Sequence, residues 1–354
     1  MEREVDLSIE DIGFGGKGVG RCEGKAVFVP FTIAGERVTA RLVREKKSFA
    51  EAELVRVNEA SPERVAPPCP YFGRCGGCSY QHMNYEHQLH WKSRQVAQAL
   101  RRIGKFSDPP LRPIVPSPRA YEYRNRITVH AERGVVGFFR HDAHRLIEVE
   151  RCAIAALEVN DELAALRERK PRDGHYTLRA QRGPHVFSQI NDAVAAHLGD
   201  VIASLVPAGH TLLIDAYCGA GFFGKRLLHQ FPRVVGIDWD IHAIDAAQAT
   251  AGETETYLAG DIATHLGEQL TKADSSLTTV IMDPPATGLE AQVREILRAH
   301  PAARLLYVSC NPPTLSRDLA DLGTAYQLES VTPFDMFPQT AEIEVLACLS
   351  AAKP

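Results

Sequence analysis

The N-terminal stretch alternates apolar and polar positions. Between Val5 and Ile9 apolar residues recur at a period of two, a glycine-rich turn follows at residues 13–20, and alternation returns between residues 25 and 57. Short strands separated by glycine turns, with no helical period, are typical of a small β-barrel. The pattern therefore predicts such a barrel over residues 1–60.

The next segment, residues 61–185, mixes helical and strand-like patterns. Apolar residues on one face predict a helix from about Tyr85 to Ile103. Two alternating runs at residues 126–130 and 135–139 predict strands, and proline-rich breaks interrupt the pattern. We predict an irregular α+β domain here.

Residues 186–354 alternate apolar runs with helical stretches. Runs that are apolar throughout and separated by helices indicate a doubly wound, Rossmann-like α/β sheet. The predicted strands are Leu212–Ala216, Val234–Ile237, Thr279–Met282, Leu305–Val308 and Ile343–Leu349.

Charge is distributed unevenly along the chain. Residues 1–183 hold 31 Lys and Arg against 24 Asp and Glu, whereas residues 184–354 hold 9 against 20. A basic front half indicates contact with a polyanion. We expect phosphate contacts from basic residues of the barrel and of the central segment, which are Arg37, Arg41, Arg44, Lys46, Lys47, Arg101, Arg102, Arg124 and Arg126.

A strand, a glycine-rich turn and a helix start follow one another at residues 213–224. Gly219, Gly221 and Gly224, with Asp238 about 20 residues after the turn, fit the dinucleotide fingerprint, so an NAD enzyme is one interpretation. However, Asp215 precedes the turn and Asp261 follows the third strand. Acids after three successive strands fit the amino acid, ribose and adenine of S-adenosyl-L-methionine (SAM) better than a pyrophosphate.

Two further motifs, Asp283-Pro284-Pro285 and Ser309-Cys310-Asn311-Pro312, end the fourth and fifth strands. Groups at the carboxyl ends of such strands share one crevice. A thiolate that adds to C6 of uracil makes C5 nucleophilic enough to take a methyl group, and a base must then remove the C5 proton. The alternative for Cys310 is a buried, inert cysteine.

A cysteine cluster lies in the central segment. Cys69, Cys75 and Cys78, with Cys152 much later, supply four thiolates. In a chain without an apolar signal or membrane-spanning run, which we expect to be soluble and cytoplasmic, metal binding is a better explanation than disulfides. Zinc and a [4Fe–4S] cluster both accept four cysteines, and the spacing does not choose between them.

These motifs together resemble the RNA uridine-C5 methyltransferase family, which includes enzymes acting on 23S rRNA and on the tRNA T-loop. The resemblance extends over essentially the whole chain. The segments that carry it are Tyr217–Gly221, Asp283–Pro285, Ser309–Leu319 and Asp335–Thr340, with residues 1–60 resembling a TRAM (OB-like) barrel and 69–78 an iron–sulfur segment.

The resemblance implies a role for each matching residue. Cys310 would be the nucleophile and Glu344 the proton-abstracting base, whereas Cys69, Cys75, Cys78 and Cys152 would ligate a [4Fe–4S] cluster. The residues expected to contact SAM or uridine are Gln189, Tyr217, Gly219, Gly221, Phe222, Asp238, Asp261 and Asp283.

The chain departs from the family pattern at a few positions. Ala286 stands where Arg is usual, Glu342 where His is usual, and Phe222 where Asn is common. We predict a monomeric, SAM-dependent enzyme that methylates uridine C5 in RNA, with 23S rRNA favoured over the tRNA T-loop. The rival interpretations are an NAD-dependent enzyme and a non-catalytic RNA-binding or chaperone protein.

Overall fold

The structure, a computed structural model, describes residues 3–180 and 189–352. The chain forms two compact units, each assembled from separate stretches. The first comprises Met1–Gln95, Pro118–Arg182 and Phe337–Glu342, and the second Val96–Ser117, Gly183–Met336 and Ile343–Pro354. The predicted boundary between residues 185 and 186 lies outside the described residues, and the predicted three-domain division stays a prediction.

Six strands form the N-terminal sheet of the first unit, in the order β1-β5-β6-β4-β3-β2. They are β1 (Glu4–Ser8), β2 (Asp11–Ile12), β3 (Gly18–Cys22), β4 (Lys25–Val29), β5 (Arg37–Glu45) and β6 (Phe49–Glu59). Because β1 pairs with β5 while β2 pairs with β3, the segment from Glu4 to Ile12 closes the sheet on itself. The alternating apolar side chains fill its interior, with Leu7, Val29 and Val38 at 4% exposure or less.

A second sheet of the first unit has four antiparallel strands in the order β10-β7-β8-β9. The elements of this part of the chain are α1 (Tyr85–Arg102), β7 (Arg126–Glu132), β8 (Val135–Phe139), β9 (Leu146–Glu148), α2 (Leu157–Glu168) and β10 (Gly174–Arg179). Residues 85–95 of α1 belong to the first unit and residues 96–102 to the second. Val159 and Leu163 of α2 pack against Ile127 and Val129 of β7, which buries one face of the sheet. The predicted helix and both predicted strands are confirmed.

The second unit is an α/β domain around a seven-stranded sheet of order β13-β12-β11-β14-β15-β17-β16. Its helices are α3 (Asp192–Leu205), α4 (Phe222–Arg226), α5 (Ile241–Gln248), α6 (Ile262–Lys272), α7 (Ala291–Ala299) and α8 (Pro312–Leu322), with short 3₁₀ turns at Leu228–Gln230 and Ser275–Leu277. Its strands are β11 (Leu212–Ala216), β12 (Arg233–Asp238), β13 (Glu255–Ala259), β14 (Thr278–Met282), β15 (Arg304–Ser309), β16 (Tyr326–Phe334) and β17 (Glu344–Ala351).

The five predicted strands of this unit are all present, but the sheet is not parallel throughout. Strands β11 to β15 run parallel, whereas β17 pairs antiparallel with β15 and with β16. Of the two further strands, β13 is the third strand implied by the position of Asp261, and β16 is an addition to the prediction. Since β11, β14 and β15 are buried on both faces, the centre of the sheet forms the core of the unit.

Candidate active site

The parallel strands end side by side at one edge of the second unit's sheet. Ala216, the last residue of β11, lies beside Ile237 of β12 and Met282 of β14. The residues that leave these three strands at the edge are therefore neighbours, as the strand pattern predicted. They are Tyr217, Asp238 and Asp283.

The glycine-rich turn after β11 needs glycine at two positions. Gly219 and Gly221 have φ angles of 54° and 85°, in the left-handed region that favours glycine. A Cβ on Gly221 would also lie 2.7 Å from the Tyr257 hydroxyl, whereas a Cβ on Gly219 would meet no atom within 4 Å. The turn therefore brings bare backbone to an open face just before helix α4, which begins at Phe222.

Two carboxylates after neighbouring strands hold backbone N–H groups. Oδ2 of Asp238 accepts from the N–H of Gly219 at 2.7 Å, and its Oδ1 accepts from the N–H of Asp240 at 2.9 Å. Asp261 caps helix α6, because its Oδ1 accepts from the N–H of Thr264 at 2.8 Å. Each carboxylate oxygen can accept more than one hydrogen bond, so both acids remain able to accept from a ligand.

Asp215 and Asp283 are two acids beneath the edge, the first fully buried and the second half-buried. Burial raises the pKa of both groups, and a nearby carboxylate raises it further, Asp238 for Asp215 and Asp215 for Asp283. Oδ2 of Asp215 accepts from the N–H of Gly224 at 2.8 Å, and Oδ2 of Asp283 accepts from Nε2 of Gln189 at 3.3 Å. Asp215 is fully buried, and its hydrogen bond with Gly224 ties α4 to β11. It therefore supports the glycine turn and exposes no surface to a ligand.

Cys310 is half-buried in the turn between β15 and α8. Ser309 and Asn311 hold that turn, since Oγ of Ser309 accepts from the N–H of Asn311 at 3.2 Å. The Asn311 side chain caps α8 by accepting from the N–H of Thr314 at 3.3 Å. Cys310 therefore directly precedes the N-cap residue of an 11-residue helix.

Glu344 is only 4% exposed at the first residue of β17. Because β17 is antiparallel, its beginning lies at the edge where the parallel strands end. Ser309 of β15 pairs with Val345 of β17, and this is the last pair of the ladder. Cys310 follows Ser309 in a bend and Glu344 precedes Val345, so both residues adjoin the same end of the ladder. Although a glutamate on a strand is usually solvated, Glu344 is buried.

Asp318 is a buried charged residue that the sequence analysis missed. It lies on the apolar stripe of α8 with Leu315 and Leu319 and has no exposed surface. Its Oδ2 accepts from the N–H of Leu289 and from the Tyr307 hydroxyl, both at 2.8 Å. An acid at a stripe position of an amphipathic helix was the signal that could have identified it.

Trp239 is a second residue missed at this edge. It follows Asp238 directly and is 75% exposed, and the neighbouring Ile241 is 57% exposed. Phe222, at the start of α4, is 39% exposed. An exposed tryptophan beside Asp238 offers a flat apolar surface on which the ring of a ligand can stack. Its position between Asp238 and Asp240, after a strand, was the available signal.

The four cysteines of the predicted cluster line one cavity of about 40 Å³ in the first unit. Burial raises the pKa of Cys75 to about 11 and that of Cys78 to about 12. The N–H of Gly77 donates to Sγ of Cys75 at 3.4 Å. Among residues 3–180 and 189–352, however, no three His, Cys, Asp or Glu side chains are arranged to hold a metal ion. The predicted metal site is thus not confirmed.

The basic residues predicted to contact phosphate differ in their surroundings. In the barrel, Arg37 pairs with Glu59 at 3.0 Å and Arg41 with Glu4 at 3.3 Å. Their strand face is therefore largely charge-balanced.

Ala286 stands where the family usually has Arg. Its backbone carbonyl contacts α8, since it accepts from Oγ1 of Thr314 at 3.0 Å.

Comparisons with known proteins agree with this geometry. Residues 2–55 match the TRAM domain, and residues 170–352 match tRNA (uracil-5-)-methyltransferase. An uncharacterized RNA methyltransferase of Bdellovibrio bacteriovorus is 31% identical, over 97% of this chain and 94% of the relative. Another, of Aquifex aeolicus, is 28% identical over 98% of this chain and 99% of the relative.

Among solved structures, the fold is similar to that of Pyrococcus abyssi tRNA (uracil-54, C5)-methyltransferase in complex with S-adenosyl-L-homocysteine. The TM-score is 0.74 at 23% identity, and the match covers 97% of this chain and 99% of that one. At this identity the likeness concerns the fold.

The glycine turn, the acids at the strand ends and the α/β sheet define a SAM-dependent methyltransferase joined to an RNA-binding type of barrel. The chain belongs to the tRNA (uracil-5-)-methyltransferase family. It is therefore a SAM-dependent RNA (uracil-5-)-methyltransferase, and the NAD-dependent alternative is wrong. Within the part of the chain that the structure describes, no helix has the length and apolar character needed to cross a membrane.

Proposed function

We propose that this protein methylates C5 of a uridine in 23S rRNA, with Cys310 as covalent nucleophile and Glu344 as general base. The observation that supports the proposal is the register between β15 and β17, because Cys310 and Glu344 each adjoin the Ser309–Val345 pair at the edge where the parallel strands end. A nucleophile and a base must both reach the same pyrimidine ring for this chemistry.

Each proposed step uses a group at the edge of the sheet. The Cys310 thiolate adds to uracil C6, and the ring electrons move onto C5 and the C4 carbonyl oxygen. C5 then bonds to the donor's methyl carbon, whose bond to the sulfonium sulfur breaks. Glu344 removes the proton from C5, the C5–C6 double bond reforms, and the thiolate leaves C6. Glu344 is 4% exposed, so most water is excluded from the carboxylate that takes this proton.

The methyl donor fits the neighbouring part of the same edge. We infer that the bare backbone at Gly219 and Gly221 admits the amino acid portion, with Tyr217 and Phe222 beside it. Asp238 would accept from the ribose hydroxyls and Asp261 from the adenine amino group. Gln189, which already donates to Asp283 at 3.3 Å, would contact the donor or the uridine.

The four cysteines line one cavity of the first unit. Zinc and a [4Fe–4S] cluster both accept four cysteines. The resemblance of residues 69–78 to the iron–sulfur segment of the family favours the cluster. We infer that Cys69, Cys75, Cys78 and Cys152 hold this cluster as a structural cross-link, because methyl transfer moves no electrons.

Anaerobic purification tests the cluster directly. We expect iron and acid-labile sulfide in equal amounts, near four of each per chain. Cys78→Ser should lose both, whereas Cys22→Ser in the barrel should keep them. Stoichiometric zinc without sulfide would overturn the assignment.

A 5-fluorouridine RNA tests the reaction itself. Fluorine at C5 cannot be removed as a proton, so the base has nothing to abstract and the Cys310–C6 bond persists. We expect a covalent protein–RNA complex that forms only when SAM is supplied and that carries one transferred methyl group. Absence of the complex with RNA bound would contradict the mechanism.

The choice of RNA rests on the barrel combined with the cysteine segment, which favours 23S rRNA. The structurally similar Pyrococcus abyssi protein is named for tRNA uracil-54, so tRNA is the second candidate. Mapping 5-methyluridine in total RNA from a deletion strain separates them. Loss of a modification from 23S rRNA alone supports the proposal, and loss from tRNA alone refutes its rRNA part.

A further inference from the structure

One face of the four-stranded sheet in the first unit carries side chains that the fold does not bury. Helix α2 covers the opposite face, as described above. We call the uncovered side the outer face. Strand alternation places on it Arg126, Thr128 and His130 of β7, Phe139 of β8, and His175, Thr177 and Arg179 of β10.

At one end of the outer face two arginines oppose each other. Arg126 and Arg179 are direct cross-strand partners in the antiparallel register. Burial, Arg179 and Arg124 all lower the pKa of Arg126, so three guanidinium groups share this corner. Like charges set directly opposite destabilise a sheet. An anion bound between them would convert this repulsion into attraction.

The other end of the outer face is a strip of rings. The rings of His130 and Phe139 are 4.2 Å apart between centroids, and Nδ1 of His130 lies 2.8 Å from Nδ1 of His175. His144 packs edge-on against Phe139 with centroids 4.6 Å apart. Of these, His144 and His175 are exposed and the other two are half-buried. Such rings can stack on unpaired bases.

Hydroxyl groups connect the two ends. Oγ1 of Thr128 lies 3.2 Å from Oγ1 of Thr177, and both side chains are exposed. Two acids also lie on this face, and both are paired with arginines, Glu148 with Arg167 at 2.8 Å and Glu132 with Arg133 at 3.9 Å. From Arg126 to His130 the strand covers about 13 Å, room for two or three nucleotides.

We propose that the outer face binds a single-stranded segment of the substrate RNA, with phosphates at the Arg126–Arg179 pair and bases on the ring strip. The proposal rests on the proposed function, because it takes RNA as the substrate. Charge complementarity and exposed rings on one sheet face favour RNA over a protein partner, since aromatic stacking and paired guanidinium groups recognise a base and a phosphate respectively.

Binding of a labelled single-stranded RNA, followed by fluorescence anisotropy at several salt concentrations, tests the phosphate contacts. We expect R126A/R179A to weaken binding at low salt by about tenfold or more and to reduce the salt slope by about 1.4, as for two lost contacts. The matched control R169A/R172A removes two exposed charges at the end of α2 and in the loop that follows it. An identical slope and affinity in both double variants would overturn the proposal.

The stacking contacts have a separate signature. Phe139→Ala should weaken binding roughly five- to a hundredfold without changing the salt slope, because a stacked base carries no counterion. A fully double-stranded RNA should bind wild type and Phe139→Ala equally. Unchanged melting temperatures in these variants would exclude unfolding as the cause of weaker binding.

Formation of the 5-fluorouridine complex distinguishes a failure of the outer-face proposal from a failure of the catalytic proposal. At saturating RNA, the outer-face variants should still form the covalent complex. If they form it and bind as tightly as wild type, the surface is wrong and the mechanism stands. If wild type binds RNA through the outer face but forms no complex, the mechanism is wrong and the surface stands.

Discussion

The Tyr307 hydroxyl donates a hydrogen bond of 2.8 Å to Oδ2 of Asp318, the same oxygen that accepts from the N–H of Leu289. One buried carboxylate thereby ties strand β15 to the loop that follows Asp283. Arg294 and Arg317 contact its other oxygen at 3.3 and 2.8 Å. The segments that carry Asp283 and Cys310 are thus joined through Asp318, which need not touch substrate.

We expect Asp318→Asn to slow formation of the 5-fluorouridine complex and to lower the free energy of unfolding. An amide has one acceptor oxygen for several donors and turns a new N–H₂ toward some of them, a mismatch worth about 2–4 kcal/mol. Denaturant unfolding and the rate of complex formation at saturating RNA measure the two effects.

Asp321 lies on the same helix as Asp318 and provides the control. It pairs with Arg294 and Arg298 of α7, but its side chain is 38% exposed. Asp321→Asn should cost less than about 1 kcal/mol. Equal losses in the two variants would argue against a positioning role for Asp318.

Replacing Cys310 separates chemistry from binding. Cys310→Ala should abolish both methylation and the covalent complex, because no thiolate remains to add to C6. SAM affinity, measured by calorimetry, should stay within about twofold, since no proposed donor contact involves this side chain. Cys22→Ala in the barrel serves as the control and should retain activity. Residual methylation by Cys310→Ala would refute the nucleophile assignment.

Much of the second unit's sheet could be predicted because β11, β14 and β15 are continuous apolar runs. Strand β16 could not, since Glu329 and Pro333 interrupt its pattern and pairing with β17 decides its fate. An apolar run also carries no sign of strand direction, so the antiparallel orientation of β17 could not be predicted from it.

The candidate site was predictable where a residue simply follows a strand, as Asp238, Asp283 and Cys310 do. Glu344 was identified only by family resemblance, because its place at the same end of the ladder as Cys310 depends on a pairing between strands far apart in sequence. Asp318 was missed for the same reason, as its donors come from a distant loop and strand. For the four cysteines, spacing grouped Cys69, Cys75 and Cys78, the family resemblance added Cys152, and the kind of centre stays a prediction.

Glu344→Gln should trap a methylated intermediate. Glutamine can still hydrogen-bond in the same space but cannot take the C5 proton, so the thiolate is not expelled. With ordinary uridine RNA and SAM, mass spectrometry should then detect a methylated protein–RNA complex that wild type does not accumulate. Glu329→Gln, on neighbouring β16, should turn over like wild type. Normal turnover by Glu344→Gln would rule out its role as the base.

Asp215 predicts how stability depends on pH. Burial, and after it the nearby carboxylate of Asp238, raise the pKa of Asp215 to about 7, well above its unfolded value of about 4. The folded protein therefore keeps a proton that the unfolded chain has lost, and stability that is present below pH 4 is lost as pH rises through 7.

Asp215→Asn still accepts from Gly224 but cannot ionise. We expect denaturant unfolding to show that this variant matches wild type at or below pH 4 and exceeds it at pH 8 by roughly 3–4 kcal/mol. Asp200→Asn, at an exposed pair with Arg226, should leave the wild-type pH profile unchanged. A decline in Asp215→Asn as steep as that of wild type would mean that Asp215 holds no extra proton.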